Sequence, residues 1–163
     1  MEYIKLLKKL IRFICILTII LILNKNNVKR ISYKIKTEKI IKKNDDINYI
    51  VIDNYKLIVR TGNEKEVLDS NNVYLLNNSS SDNYFLAGHN SKLVFNRIYN
   101  LNLNDEVLFH INKNNYSYVV IEKKYIDVDD YSVFNKKSYD SLTLITCSFT
   151  NQKRYIVVCK RKV

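Results

Sequence analysis

The chain has no proline and no tryptophan, and only two glycines, Gly62 and Gly88. Without proline, no loop is braced by a locked φ. Cysteine is nearly as scarce, at Cys15, Cys147 and Cys159. Cys15 lies in an apolar N-terminal run, so the three provide no disulfide framework and no CxxC metal pair, although Cys147 and Cys159 could pair in principle. A lone unpaired cysteine in an outward-facing domain is unusual unless its thiol is used. The second half contains no dense basic run interleaved with aromatics, which argues against nucleic acid as a partner. There is no internal repeat.

What remains suits one domain: 163 residues, 47% hydrophobic, rich in Tyr, Ile, Lys and Asn. That bias reads as drift toward AT-rich codons, so a single Lys or Asn carries little information. The net charge is +11; residues 1–23 hold Lys5, Lys8, Lys9 and Arg12 against Glu2, leaving +8 on the remainder. A basic surface attracts anions such as acidic lipid or wall polymer; a merely solvated basic surface is the plainer reading.

The apolar run starts at Leu6 and is uncharged from Phe13 to Leu23, behind a basic flank, the pattern of a signal sequence. It ends Leu21-Ile22-Leu23-Asn24-Lys25, with no A-x-A-like cleavage site, and no small residue precedes Cys15 for lipoprotein processing. The expectation is an uncleaved, single-pass transmembrane anchor over 1–24, with Lys8, Lys9 and Arg12 snorkelling; a peripheral or buried helix is the alternative. Both flanks are basic, so the positive-inside rule does not orient it. A short N-terminal tail before a first apolar segment favours an extracellular domain on the cell membrane. Residues 25–48 read as a polar stalk with a short helix near Tyr33–Ile41.

From 49 to 163, eight short β-rich runs recur: Tyr49–Ile52, Lys56–Val59, Val73–Leu76, Tyr84–Ala87, Glu106–Ile111, Tyr116–Ile121, Leu142–Thr146 and Arg154–Cys159. Asn112-Lys113-Asn114-Asn115 reads as a hairpin turn. Leu93, Val94, Ile98 and Leu101 have helical spacing, predicting a short helix over Ser91–Tyr99. The fold class is mainly β, closed or nearly so, with one or two small helices.

The chemistry concentrates at strand ends. Thr143-Leu144-Ile145-Thr146-Cys147 is a strand ending in a thiol, Arg154 opens the next strand, and Phe85-Leu86-Ala87-Gly88-His89 is a strand leading into an imidazole. Converging at one barrel rim, the trio suits acyl transfer: a thiolate attacks an amide, an imidazole protonates the leaving amine, and a fixed cation stabilises the oxyanion. Gly88 is explained either by a backbone turn or by close passage of substrate. Each residue also has a plainer reading. Cys147 alone is a buried strand cysteine, and His89 alone is a surface histidine. His110 is the other candidate histidine, and Arg60 and Arg97 are the other candidate cations. Cys159 reads as core, and Asp127, Asp129 and Asp130 as a solvated acidic loop rather than hard-cation ligands.

On these residues the chain resembles the sortases. The family signature T-L-x-T-C falls on Thr143, Leu144, Thr146 and Cys147, with Arg154 on the following strand and a G-H element at Gly88-His89, over roughly Tyr49 to the C-terminus. The resemblance implies an eight-stranded β-barrel and a cysteine transpeptidase, in the hydrolase class acting on peptide bonds. It implies cleavage of a Leu-Pro-x-Thr-Gly-like sorting signal between Thr and Gly through a thioester on Cys147. His89 would be the general acid/base, Arg154 would stabilise oxyanion or substrate, and Thr146, Leu144 and Gly88 would contact substrate. The implied partners are surface proteins bearing a C-terminal sorting signal and an amine of a peptidoglycan precursor or a pilin. No cofactor or metal is expected, though some members bind calcium. The stretch from Ile121 to Leu142 is too short for the long helix of the B type, and the chain stops after the final strand without the second apolar anchor of many pilin-type members. That leaves an A-like or D-like enzyme, D slightly preferred, with a substrate lid over Asp127–Tyr139. The other readings are a non-catalytic, membrane-tethered β-domain binding anionic wall polymer, and a plain cysteine peptidase in which water resolves the acyl-enzyme.

Overall fold

The computed structural model describes residues 2–80, 82–150 and 152–162. Contacts divide the chain into two compact units, one ending at Lys36 and one beginning at Thr37. Helix α1 runs unbroken over Glu2–Lys43, so its last turns belong to the second unit. The stalk with a short helix near Tyr33–Ile41 is therefore corrected to continuous helix. Residues 2–43 contain neither proline nor glycine, and nothing local interrupts the hydrogen-bond ladder. It stops at Asn44, whose side chain accepts from the Asp46 N–H at 3.0 Å.

The expected membrane span is not borne out: among the described residues, no helix is long and apolar enough to cross a membrane. Lys8, Lys9 and Arg12 interrupt the apolar run. The uncharged stretch Phe13–Leu23 rises only about 16 Å as helix, against a hydrocarbon core of ~30 Å.

The second unit is a closed barrel. Its strands are β1 (Tyr49–Ile52), β2 (Tyr55–Arg60), β3 (Val73–Leu75), β4 (Asn83–Ala87), β5 (Glu106–Ile111), β6 (Asn114–Asp127), β7 (Ser141–Cys147) and β8 (Lys153–Arg161), in the order β1-β2-β3-β4-β7-β8-β6-β5. Helix α2 (Glu64–Asp69) and two 3-10 helices, Phe95–Asn100 and Ser132–Phe134, lie between strands. The helix expected over Ser91–Tyr99 is thus a 3-10 helix displaced toward the C-terminus.

With glycine nearly absent, Asn and Asp supply the left-handed backbone. Asp53, Asn54, Asn71, Asn104 and Asn112 all have positive φ, as does Lys113. Asp53-Asn54 and Asn112-Lys113 form the two-residue turns of the β1–β2 and β5–β6 hairpins, where both central residues need that conformation. The abundance of asparagine is therefore structural at these sites and not codon drift alone. Gly62, at φ +110, is the one glycine with such a backbone.

Strand direction brings the chemistry together. β4 and β7 are parallel, so their C-terminal ends share one rim. β8 is antiparallel to β7 and begins at that rim; β6 is antiparallel to β8 and ends there. One face of these strands carries Phe85, Ile126, Ile145, Ile156 and Val158, covered by Val133 with Leu76 and Phe134 packed alongside. Val133 comes from the 3-10 helix of the expected lid, and burying such a side chain contributes about 1.5–3 kcal/mol. Phe134 adds an edge-on contact to Phe85 with ring centroids 5.3 Å apart. The lid segment is thus pinned by apolar contact and not by proline.

Candidate active site

Cys147 is the last residue of β7, and Arg154 is its register partner on β8. Paired residues project from the same side of a sheet, and Arg154 Nη1 donates to Cys147 Sγ at 2.8 Å. His89 follows β4 on the same rim, in a loop tied down by backbone. Gly88 N–H donates to the Ile145 carbonyl at 3.1 Å, and the His89 carbonyl accepts from Ser91 N–H at 2.8 Å and Phe95 N–H at 3.0 Å. Thr146 Oγ1 donates to the Gly88 carbonyl at 2.7 Å. Cys147, His89 and Arg154 line one cavity of about 350 Å³, with Leu76, Ile126 and Ile145 among its apolar walls.

Gly88 has a packing reason rather than a conformational one. A Cβ there would stand 2.7 Å from Phe95 Cγ and 3.0 Å from Val94 Cγ1. Phe95 is fully buried and has nowhere to move. Gly88→Ala should destabilise the domain by about 1–3 kcal/mol and slow turnover by displacing His89; thermal melting and peptide cleavage check both.

Of the residues expected to touch substrate, Leu144 is corrected. Leu144 is fully buried and does not line the cavity. Thr146 lines it but is 2% exposed, and its hydroxyl is given to Gly88. The T-L-x-T-C run therefore builds the strand under Cys147 more than it presents groups to a ligand. Gly88 also lines the cavity.

The rival candidates lie elsewhere. His110, on β5, stacks on Tyr49 with centroids 4.7 Å apart, and its Nδ1 is 2.8 Å from Asn115 Oδ1. β8 and β6 intervene between β5 and β7. His110→Ala should leave the rate within about twofold, as measured by peptide cleavage, since the residue touches no part of the cavity. Arg97 is buried, donates to the Val94 and Lys92 carbonyls at 3.1 and 3.2 Å, and lies over the Tyr55 ring. Arg60 sits at the end of β2, beside β3. Cys159 is paired in register with Leu142, on the face opposite Cys147, so the two thiols cannot bond. Burial pushes the Cys159 thiol up to about 12, leaving it inert. Asp127 pairs with Lys153 at 3.2 Å. Asp130 accepts hydrogen bonds from the Ser132 hydroxyl and the Ser132 N–H, which together hold its carboxyl below the usual range. Among the described residues, no three His, Cys, Asp or Glu side chains gather as a metal site.

Helix α2 escaped the sequence reading. Its signal was Asn63, which caps the helix by accepting from the Glu66 N–H at 3.1 Å, with Glu64 and Glu66 in the first turn. It contributes Glu64 and Leu68 to the cavity wall and sets Asp69 Oδ1 3.9 Å from His89 Nε2. Both side chains of that pair are half exposed or more, so the ion pair is worth little by itself.

Residues 46–162 match the family model of the Sortase domain. Among solved structures, sortase C1 from Streptococcus agalactiae is 28% identical with a TM-score of 0.65, over 71% of this chain and 67% of its own. The sortase D5 transpeptidase of Clostridium perfringens is 25% identical with a TM-score of 0.65, over 72% and 79%. Sortase A from Corynebacterium diphtheriae, at 18% identity and a TM-score of 0.64 over 72% and 60%, is alike in fold alone. No curated protein matches the chain. The family model spans well over half of the sequence, and the chain belongs to the sortase family.

Proposed function

We propose that the protein is a cysteine transpeptidase that cleaves a Leu-Pro-x-Thr-Gly-like sorting signal and joins the new carboxyl end to an amine. The observation that carries this reading is the 2.8 Å contact between Arg154 Nη1 and Cys147 Sγ in a cavity that His89 also lines. In the reaction, Cys147 Sγ attacks the threonine carbonyl carbon and a C–S bond forms. His89 gives a proton to the glycine nitrogen, the C–N bond breaks, and the glycine-bearing fragment leaves as an amine. An incoming amine then attacks the thioester and loses its proton to His89, the C–S bond breaks, and Cys147 leaves as the thiolate that began the cycle. Arg154 stabilises the oxygen that becomes negative in each tetrahedral intermediate.

Acceptors of this chemistry are a peptidoglycan-precursor amine or a pilin lysine, and clients are surface proteins with a C-terminal signal. The exposed aliphatic side chains of α1, such as Leu10 and Ile16, set between basic flanks, support a location at the surface of the cell membrane. No cofactor enters the mechanism. EDTA should change the rate less than twofold, and a calcium-dependent rise of about tenfold would instead assign a cation to the loop carrying Asp127, Asp129 and Asp130.

The deciding experiment incubates the protein with a library of fluorescent sorting peptides plus glycine, lysine or diaminopimelate, followed by mass spectrometry. The expected result is a thioester on Cys147 and a peptide–amine product. Cleavage without amine transfer makes the protein a peptidase, and an unmodified Cys147 with every peptide sinks the catalytic reading.

A further inference from the structure

The 3-10 helix Phe95–Asn100 reaches the backbone of both reacting residues. At its start, Phe95 N–H donates to the His89 carbonyl at 3.0 Å. Near its end, the Tyr99 hydroxyl donates to the Cys147 carbonyl at 3.1 Å, across 48 positions of sequence. Cys147 is where β7 ends, so a side chain from another element holds its peptide group at the point where the strand stops. The Tyr99 ring is itself fixed. It stacks on Tyr155 at 4.2 Å and 11°, and on Phe149 at 4.6 Å. Burial, with Tyr125 and Tyr155 nearby, pushes the phenol up to about 12, so it stays a hydrogen-bond donor at neutral pH. Tyr99 does not line the cavity.

We propose that Tyr99 is a positioning residue for acyl transfer, its hydroxyl orienting the Cys147 peptide so that one short helix sets the spacing between thiol and imidazole. The proposal rests on the transpeptidase reading above. The direction of the Cα–Cβ bond follows the peptide plane, and Cys147 Sγ meets Arg154 within hydrogen-bond distance. Freeing the carbonyl lets the plane rotate and loosens that contact. Small misplacements of reacting atoms cost large factors in rate.

Tyr99→Phe in the full chain tests this, because it keeps both ring stacks and deletes only the hydroxyl. Three quantities are read: thermal midpoint, kcat and KM for a sorting peptide, and the rate of Cys147 alkylation by iodoacetamide, located by mass spectrometry. The expected result is a kcat lowered about tenfold, with KM within twofold and the midpoint within a few degrees. Alkylation of Cys147 should slow by about threefold or more, because the reactive thiolate loses its fixed cation. A Tyr99→Phe enzyme as fast as the unsubstituted one overturns the proposal, and so does a loss lying wholly in KM or one explained by a collapsed thermal midpoint. If the unsubstituted protein turns over no sorting peptide, the transpeptidase reading fails on its own. Alkylation then decides the positioning role: an unchanged Cys147 rate in Tyr99→Phe overturns it.

Discussion

Cys147→Ala abolishes peptide turnover and thioester capture while the barrel still folds. Cys159 cannot substitute, since it is sealed in the core. Removing the nucleophile of a catalytic group that acts as a unit typically costs at least about 10⁴ in rate, leaving only what binding supplies. Cys147 is half-buried at a strand end, so deleting its sulfur leaves no closed cavity, and the thermal midpoint should move by only a few degrees. His89→Ala should come close to the same loss, because the leaving amine then has no acid. The measurement is mass-spectrometric detection of acyl-enzyme beside a cleavage assay. Retained turnover in Cys147→Ala would remove the whole assignment, whatever the other residues do.

Arg154→Ala should lower kcat by about 10² to 10³, the usual loss for one oxyanion donor. The guanidinium is fixed from two directions. Its strand is paired on both sides, to Cys147 on β7 and to Ile126 on β6, and Nη1 sits against the sulfur. A donor already in place needs no reorganisation when charge develops. Arg154→Lys should recover little of the loss, because an ammonium on a flexible stem replaces a planar fork. Full activity in Arg154→Lys would show that only a diffuse positive charge is needed at that rim.

How much of this was legible beforehand depended on the kind of signal. The eight apolar runs all became strands because β-branched and aromatic alternation needs no tertiary context to be seen. β6 was read as ending at Ile121 but continues to Asp127. Its second half carries Glu122, Lys123 and Lys124, which break the apolar pattern, and a register shift between Val120 and Glu122 interrupts its pairing with β8. Charged residues there are tolerated by an outward face and held by the neighbouring strand, neither of which is local. Cys147, His89 and Arg154 were named from motif order, and strand direction explains their meeting: only the parallel β4–β7 pair puts Gly88-His89 and Cys147 at one end. Leu144 misled because a signature does not separate residues that face a ligand from those that hold the strand. Tyr99 carried no signal at all, since a tyrosine in a helical pattern looks like core, and its bond to Cys147 crosses the fold.

The closed barrel also constrains how a client is read. With every strand paired on both sides among the described residues, no barrel edge there offers a row of free N–H and C=O groups to which a peptide could add as a further strand. For a sorting peptide of the proposed kind, that leaves the cavity walls, where side chains such as Ile145 and Ile126 are offered rather than a backbone ladder. Recognition of that kind would depend on which side chain falls into which depression more than on peptide length. A signal with one wrong residue should therefore lose more than a signal trimmed at its ends.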